Sequence, residues 1–171
     1  MGSRNMSQTI TSAATSLNQV PRLFKQVGLK RGTINLDVGG GKYDTATDYL
    51  HSQGVHNFVW DPFNRDLDHN SKVYDLLVAN GGLADTATLA NVLNVIKERC
   101  DRIEALKLAS RAVGDTGVCY ITVYEGNRSR RGKRTSKGWQ HNKPLRFYLD
   151  EVKEVFACAS IQGGVIVAYN V

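Results

Sequence analysis

The chain has 171 residues, with a formal net charge of +6 and 42% hydrophobic residues. That length and composition describe one globular domain with its own core rather than a disordered or fibrous chain. No apolar run approaches the roughly 18 residues a membrane span needs, and no signal peptide opens the chain. Three cysteines, odd in number and far apart, give neither a disulfide framework nor a zinc site, and four scattered histidines add no metal-ligand spacing. A reducing cytoplasm is the expected compartment. The basic balance favours an anionic partner without identifying one.

In chain order, residues 1–19 are polar and rich in Ser and Thr, and are expected to form a flexible N-terminal segment before a domain over 20–171. Val20, Leu23, Phe24 and Val27 have helical spacing, with Pro21 tolerated in a first turn. The stretch TINLDVGGGKYD, Thr33 to Asp44, then joins a β-rich run to three glycines, Gly39, Gly40 and Gly41. A helix follows, with Tyr43, Ala46 and Leu50 on its inner face and Gly54 ending it. Strand, glycine turn and helix form a crevice where backbone can approach a ligand closely. A second strand ends in VWDP, putting Asp61 about 20 residues past the turn, where an acid at a strand tip accepts bonds from ribose hydroxyls.

Residues 66–84 hold no recognisable strand. A polar segment leads to a helix read from Ser71 as N-cap, with Val73, Leu76 and Leu77 inward. TATLANVLNVI gives the next strand, running into a helix from about Val95 to Val113. Ile96, Cys100, Ile103, Leu106 and Val113 form its apolar face, and Lys97, Glu98, Arg99, Asp101 and Arg102 its solvated one. VCYITVY, Val118 to Tyr124, is apolar or aromatic on both faces and predicts a central buried strand.

A basic loop follows over residues 127–143, holding seven Lys or Arg residues around Trp139 and His141. Its cations suit phosphates and its aromatic suits a base, while a merely solvated face is the plain alternative. PLRFYLDEVKEVFA is an amphipathic helix, and two β-runs joined at Gln162-Gly163-Gly164 predict a terminal hairpin.

The acid–x–Gly–x–Gly run Asp37, Val38, Gly39, Gly40, Gly41, together with the Asp61 strand tip, resembles the first motifs of class I S-adenosylmethionine-dependent methyltransferases. A nicotinamide site needs a third glycine where Asp44 stands, so that reading is the weaker one. A looser likeness joins NVLNVI (residues 91–96) and the segment from Tyr124 to Asn142 to small stand-alone methyltransferases of phages and microbial genomes.

The resemblance implies an α/β, Rossmann-like sandwich: a mostly parallel sheet with an antiparallel C-terminal strand and helices on both faces. It implies S-adenosylmethionine as cofactor. Gly39 and Gly41 would meet its methionine part beside Gly40, Asp61 its ribose, and Pro62 and Phe63 its adenine. Asp37 would orient the turn or meet the amino group. Asn91, at the next strand tip, would bond cofactor or substrate, or else cap the following helix. Glu125 would accept a proton from the nucleophile, or else pair with the neighbouring arginines. Asn127, Arg130, Arg131, Lys133 and Trp139 would contact a nucleic-acid acceptor. The family's usual third strand is missing, and the Asp/Asn-Pro-Pro-aromatic stretch of amino-methylating DNA enzymes is absent after the strand that ends near Asn91. Two other functions stay open: a non-catalytic nucleic-acid-binding protein on this fold, and an enzyme acting on S-adenosylmethionine itself or on a small metabolite.

Overall fold

The computed structural model describes residues 19–171. The flexible segment expected over 1–19 lies, apart from Gln19, outside the described residues. Six strands form one sheet in the order β2-β1-β3-β4-β8-β7. The strands β1 (Ile34–Val38), β2 (His56–Trp60), β3 (Thr86–Ala90) and β4 (Val118–Thr122) pair in parallel. The strand β8 (Val165–Tyr169) runs antiparallel to β4 and to the edge strand β7 (Cys158–Gln162). The central place of β4 and the antiparallel hairpin turning at Gly163 and Gly164 agree with the sequence expectations.

Two apolar layers cover the sheet. Phe24 of α1 (Arg22–Val27) packs with Ala46 and Leu50 of α2 (Thr45–Ser52). The larger layer joins α4 (Arg99–Val113) and α5 (Leu145–Val155) to the sheet through Leu106, Ala109, Val113, Tyr148 and Val152. A polar ladder crosses the buried sheet. Asn35 donates to Asn57 and Thr88, Thr86 donates to Asn35, and Thr88 donates to Asp37. Each buried polar group thus recovers the hydrogen bonds it loses on leaving water.

The segment without a recognisable strand is helical. The helix α3 (Leu67–Val73) starts at Asp66, whose side chain accepts from the His69 N–H, so the cap is Asp66 and not Ser71. It continues into a π-helical stretch, Tyr74–Ala79. There the wider turn buries Leu77 and Val78 and turns Leu76 outward, against the expectation from regular spacing. The next helix also departs from its reading. NVLNVI forms a 3-10 turn over Leu93–Val95, and α4 begins only at Arg99. Cys100 is exposed, whereas Asp101 and Arg102 are buried. Arg102 is drawn inward by Glu151 of α5: its guanidinium makes a two-pronged bond to that carboxylate and also donates to the carbonyls of Ile96 and Lys97.

The basic segment forms a small antiparallel hairpin of β5 (Lys133–Thr135) and β6 (Gly138–Gln140). Asn142 pins its base by accepting from the Asn127 N–H and donating to the Arg131 carbonyl. Gly126 makes room for that pin, because a Cβ there would come within 1.9 Å of the Asn142 amide oxygen. No helix among the described residues is long and apolar enough to cross a membrane.

Candidate active site

A cavity of about 670 Å³ opens at the carboxyl ends of β1, β2 and β3, with α1 over it. This is where open α/β sheets hold ligands. The expected site residues Gly39, Gly40, Asp61, Pro62, Phe63 and Asn91 all line it. Asp37 and Gly41 support the wall from behind.

The glycine turn follows from the packing beneath it. Gly39 has φ +73°, and a Cβ there would meet Val92 at 2.8 Å; at Gly40 it would meet the Asp37 carboxylate at 2.4 Å. Asp37 therefore sits directly under the turn. Its carboxyl is wholly buried, and this burial raises its pKa to about 7, with the Asp61 charge adding to the rise and the Thr88 hydroxyl opposing it.

Asp61 holds the neighbouring loop. One carboxylate oxygen accepts from the Gly41 N–H and the Asn64 amide, both at 3.0 Å. The other accepts from the backbone N–H groups of Phe63 and Asn64. All four lone-pair positions thus have donors from the chain. Arg65 ties the same two loops together by donating to the Gly41 and Tyr43 carbonyls and pairing with Asp44. Asp44, the residue that weakens a dinucleotide reading, is neutralised in this way.

Asn91 lines the cavity in a left-handed conformation, φ +59°, with its N–H bonded to the Thr122 carbonyl. It does not cap α4, whose N-cap is Glu98. Glu125 stands apart. Its carboxylate accepts from the Leu145 N–H at 2.8 Å, at the start of α5, and pairs with Arg128 at 3.4 Å. It is absent from the cavity lining, and the pair with Arg128 is the alternative arrangement expected from the sequence.

The structure does not bring Asn127, Arg130, Arg131, Lys133 or Trp139 into the cavity wall. Asn127 closes the hairpin by accepting from the Ser129 N–H. Arg130, Arg131 and Lys133 are exposed. Trp139 is half-buried, with the Lys97 ammonium 5.0 Å from its ring centre and His141 at its edge. His141 lies beside Arg102, and burial together with that charge lowers its pKa.

Several lining residues escape a reading by motif: Arg22, Lys25, Asn64, Asn94 and Tyr124. The strand tip at Tyr124 was legible, but its exposure was not. Asn94 takes its place through Gln140 of the hairpin, a partner 46 residues away.

No family model matches the chain, and no curated protein matches it. Solved structures do. A TehB-like SAM-dependent methyltransferase from Corynebacterium glutamicum is similar over 91% of this chain and 88% of its own, at 21% identity and a TM-score of 0.52. The fold is that of the S-adenosylmethionine-dependent methyltransferases. The 1,6-didemethyltoxoflavin-N1-methyltransferase of Burkholderia thailandensis, solved with 1,6-didemethyltoxoflavin and S-adenosylhomocysteine, is also similar. It matches over 86% of this chain and 73% of its own, at 14% identity and a TM-score of 0.55.

On this methyltransferase fold, the departure noted in the sequence becomes concrete. The edge position beyond β2 carries no strand among the described residues, and α3 with its π-helical extension makes the crossover to β3. The cavity fits an adenosine cofactor in shape and chemistry. It has a backbone turn without side chains, an exposed aromatic at Phe63 and a fixed carboxylate at Asp61.

Proposed function

We propose that this protein transfers a methyl group from S-adenosylmethionine to a nucleic-acid acceptor. The observation that carries the reading is a shared chain segment. Tyr124 lines the cavity bordered by Gly39 and Gly40, and the same segment runs on into the exposed cations Arg130, Arg131 and Lys133. S-adenosylmethionine, when bound, supplies a methyl group on a sulfonium leaving group. The chain's part is then mostly positioning. Gly39 and Gly40 admit the methionine portion, and Pro62 and Phe63 flank the adenine. Asp61 receives the ribose hydroxyls once the Asn64 amide yields its place. Asn91, held rigid by its backbone bond to β4, orients the acceptor or the cofactor at the cavity floor. The exposed cations of the hairpin neutralise phosphates.

A small heterocyclic acceptor is the second reading. The similar Burkholderia structure, which holds such a molecule, favours it.

Calorimetry with S-adenosylhomocysteine and NAD, followed by radiolabelled methyl transfer to single-stranded DNA and RNA, tests the proposal. S-adenosylhomocysteine is expected to bind and NAD not to. Asp61→Asn is expected to weaken binding by about 1.5–3 kcal/mol, because its new amide would face donors rather than accept from them. Binding of NAD alone, or of neither, would overturn the cofactor reading. Transfer to small heterocycles and to no oligonucleotide would overturn the acceptor.

A further inference from the structure

Tyr124 lies between the two halves of the proposed site. Its side chain is 64% exposed, the highest value among the large aromatic residues left open to solvent, and it lines the cavity. Among the described residues its ring meets no other aromatic ring and no cation. Its backbone, by contrast, is held firmly. The Gln140 amide donates to the Tyr124 carbonyl at 3.1 Å, while the oxygen of the same amide accepts from Asn94 on the cavity wall, also at 3.1 Å. Two residues on, Gly126 is locked against Asn142. A largely exposed planar ring, on a backbone held by Gln140, is therefore presented at the cavity edge in the segment that leads into the exposed cations.

The aromatic residue within the hairpin has no such freedom. Trp139 carries Lys97 over its ring, and a Cβ at Gly132 would come within 2.1 Å of its edge. Its indole N–H is buried without a partner among the described residues.

We propose that Tyr124, rather than Trp139, is the stacking platform for a base of a single-stranded nucleic acid whose phosphates lie along the hairpin. The inference rests on the nucleic-acid reading above and adds the residue that receives the base. Stacking on an aromatic face tolerates any base, and the cations beside it track the backbone. A base stacked on Tyr124 would stand at the cavity mouth, next to Asn91 and Asn94.

The test uses a thymidine dodecamer carrying one 2-aminopurine at low salt, with anisotropy for affinity and 2-aminopurine quenching for stacking. The wild type is expected to bind and quench. Tyr124→Ala should weaken binding about 5- to 150-fold and abolish quenching, with the slope against salt unchanged. Tyr124→Phe should restore both to within about twofold, and urea midpoints verify that each variant folds. Trp139→Ala should leave quenching intact. If the wild type binds and Tyr124→Ala still quenches with wild-type affinity, this inference fails while the nucleic-acid reading stands. If the wild type does not bind the oligonucleotide, the nucleic-acid reading fails and this inference with it.

Discussion

Asp37 sets the local chemistry of the glycine turn, and its titration is accessible to measurement. Burial raises its pKa from an ordinary 3.8 to about 7. Between those values the folded state holds a proton that the unfolded chain has lost. Stability from this group is therefore full below about pH 4 and declines as pH rises towards 7. Asp37→Asn removes the titration and keeps an oxygen for the Thr88 hydroxyl, which donates to Asp37 at 3.0 Å. Relative to wild type, the variant is expected to gain stability in urea at about pH 8 and to gain none at about pH 4. A constant difference across that range would show that Asp37 titrates normally. Asp61 differs in kind. Its two oxygens accept from four donors of the chain, an arrangement that no amide side chain reproduces.

Between elements, the Arg102–Glu151 pair joins α4 to α5 and also reaches the wall segment and the hairpin. The guanidinium donates to Glu151, to the Ile96 and Lys97 carbonyls, and faces His141 at 2.9 Å. Both side chains are almost fully buried, at 4% and 7% exposure, so losing one partner leaves an uncompensated charge. Arg102→Leu is expected to cost about 3–5 kcal/mol in urea unfolding, and Arg102→Leu with Glu151→Leu distinctly less. Equal losses in the single and double variants would mean that the stabilisation comes from the backbone carbonyls alone. Because His141 packs on Arg102, the single variant should also loosen the hairpin, read as faster amide exchange at Gln140 and His141.

For the molecule as a whole, charge is segregated. Buried carboxylates lie at and beneath the glycine turn, while Arg130, Arg131 and Lys133 are exposed and form no ion pair among the described residues. On a nucleic-acid partner, replacing Arg130, Arg131 and Lys133 with Ala should lower the slope of log K against log salt by about 2–3, at roughly 0.7–0.9 per phosphate contact. A filter-binding salt titration reads this directly. An unchanged slope would mean that these cations touch no phosphates. The same triple change should leave S-adenosylhomocysteine affinity within about threefold, because none of the three residues lines the cavity.

By itself the sequence determined the order of the six strands of the main sheet along the chain, the glycine turn, the Asp61 tip and the closing hairpin, but not the small β5–β6 hairpin within the basic segment. These features are encoded locally, in β-rich runs, in glycines that must adopt positive φ, and in apolar residues repeating at fixed intervals. Only the tertiary structure decided what depends on distant partners. Arg102 looked solvated because its charge was visible and Glu151, 49 residues away, was not identifiable as its partner. The π-helical stretch shifts the apolar spacing by one residue, so a regular period turned Leu76 the wrong way. Glu125 could be paired from sequence with a neighbouring arginine, as it is with Arg128, but not with the start of α5, 20 residues on; Trp139 looked free for stacking until Lys97 and Gly132 packed around it. Spacing along the chain reports which face a residue belongs to. Whether that face meets solvent, a ligand or another helix is settled by packing between elements far apart in sequence.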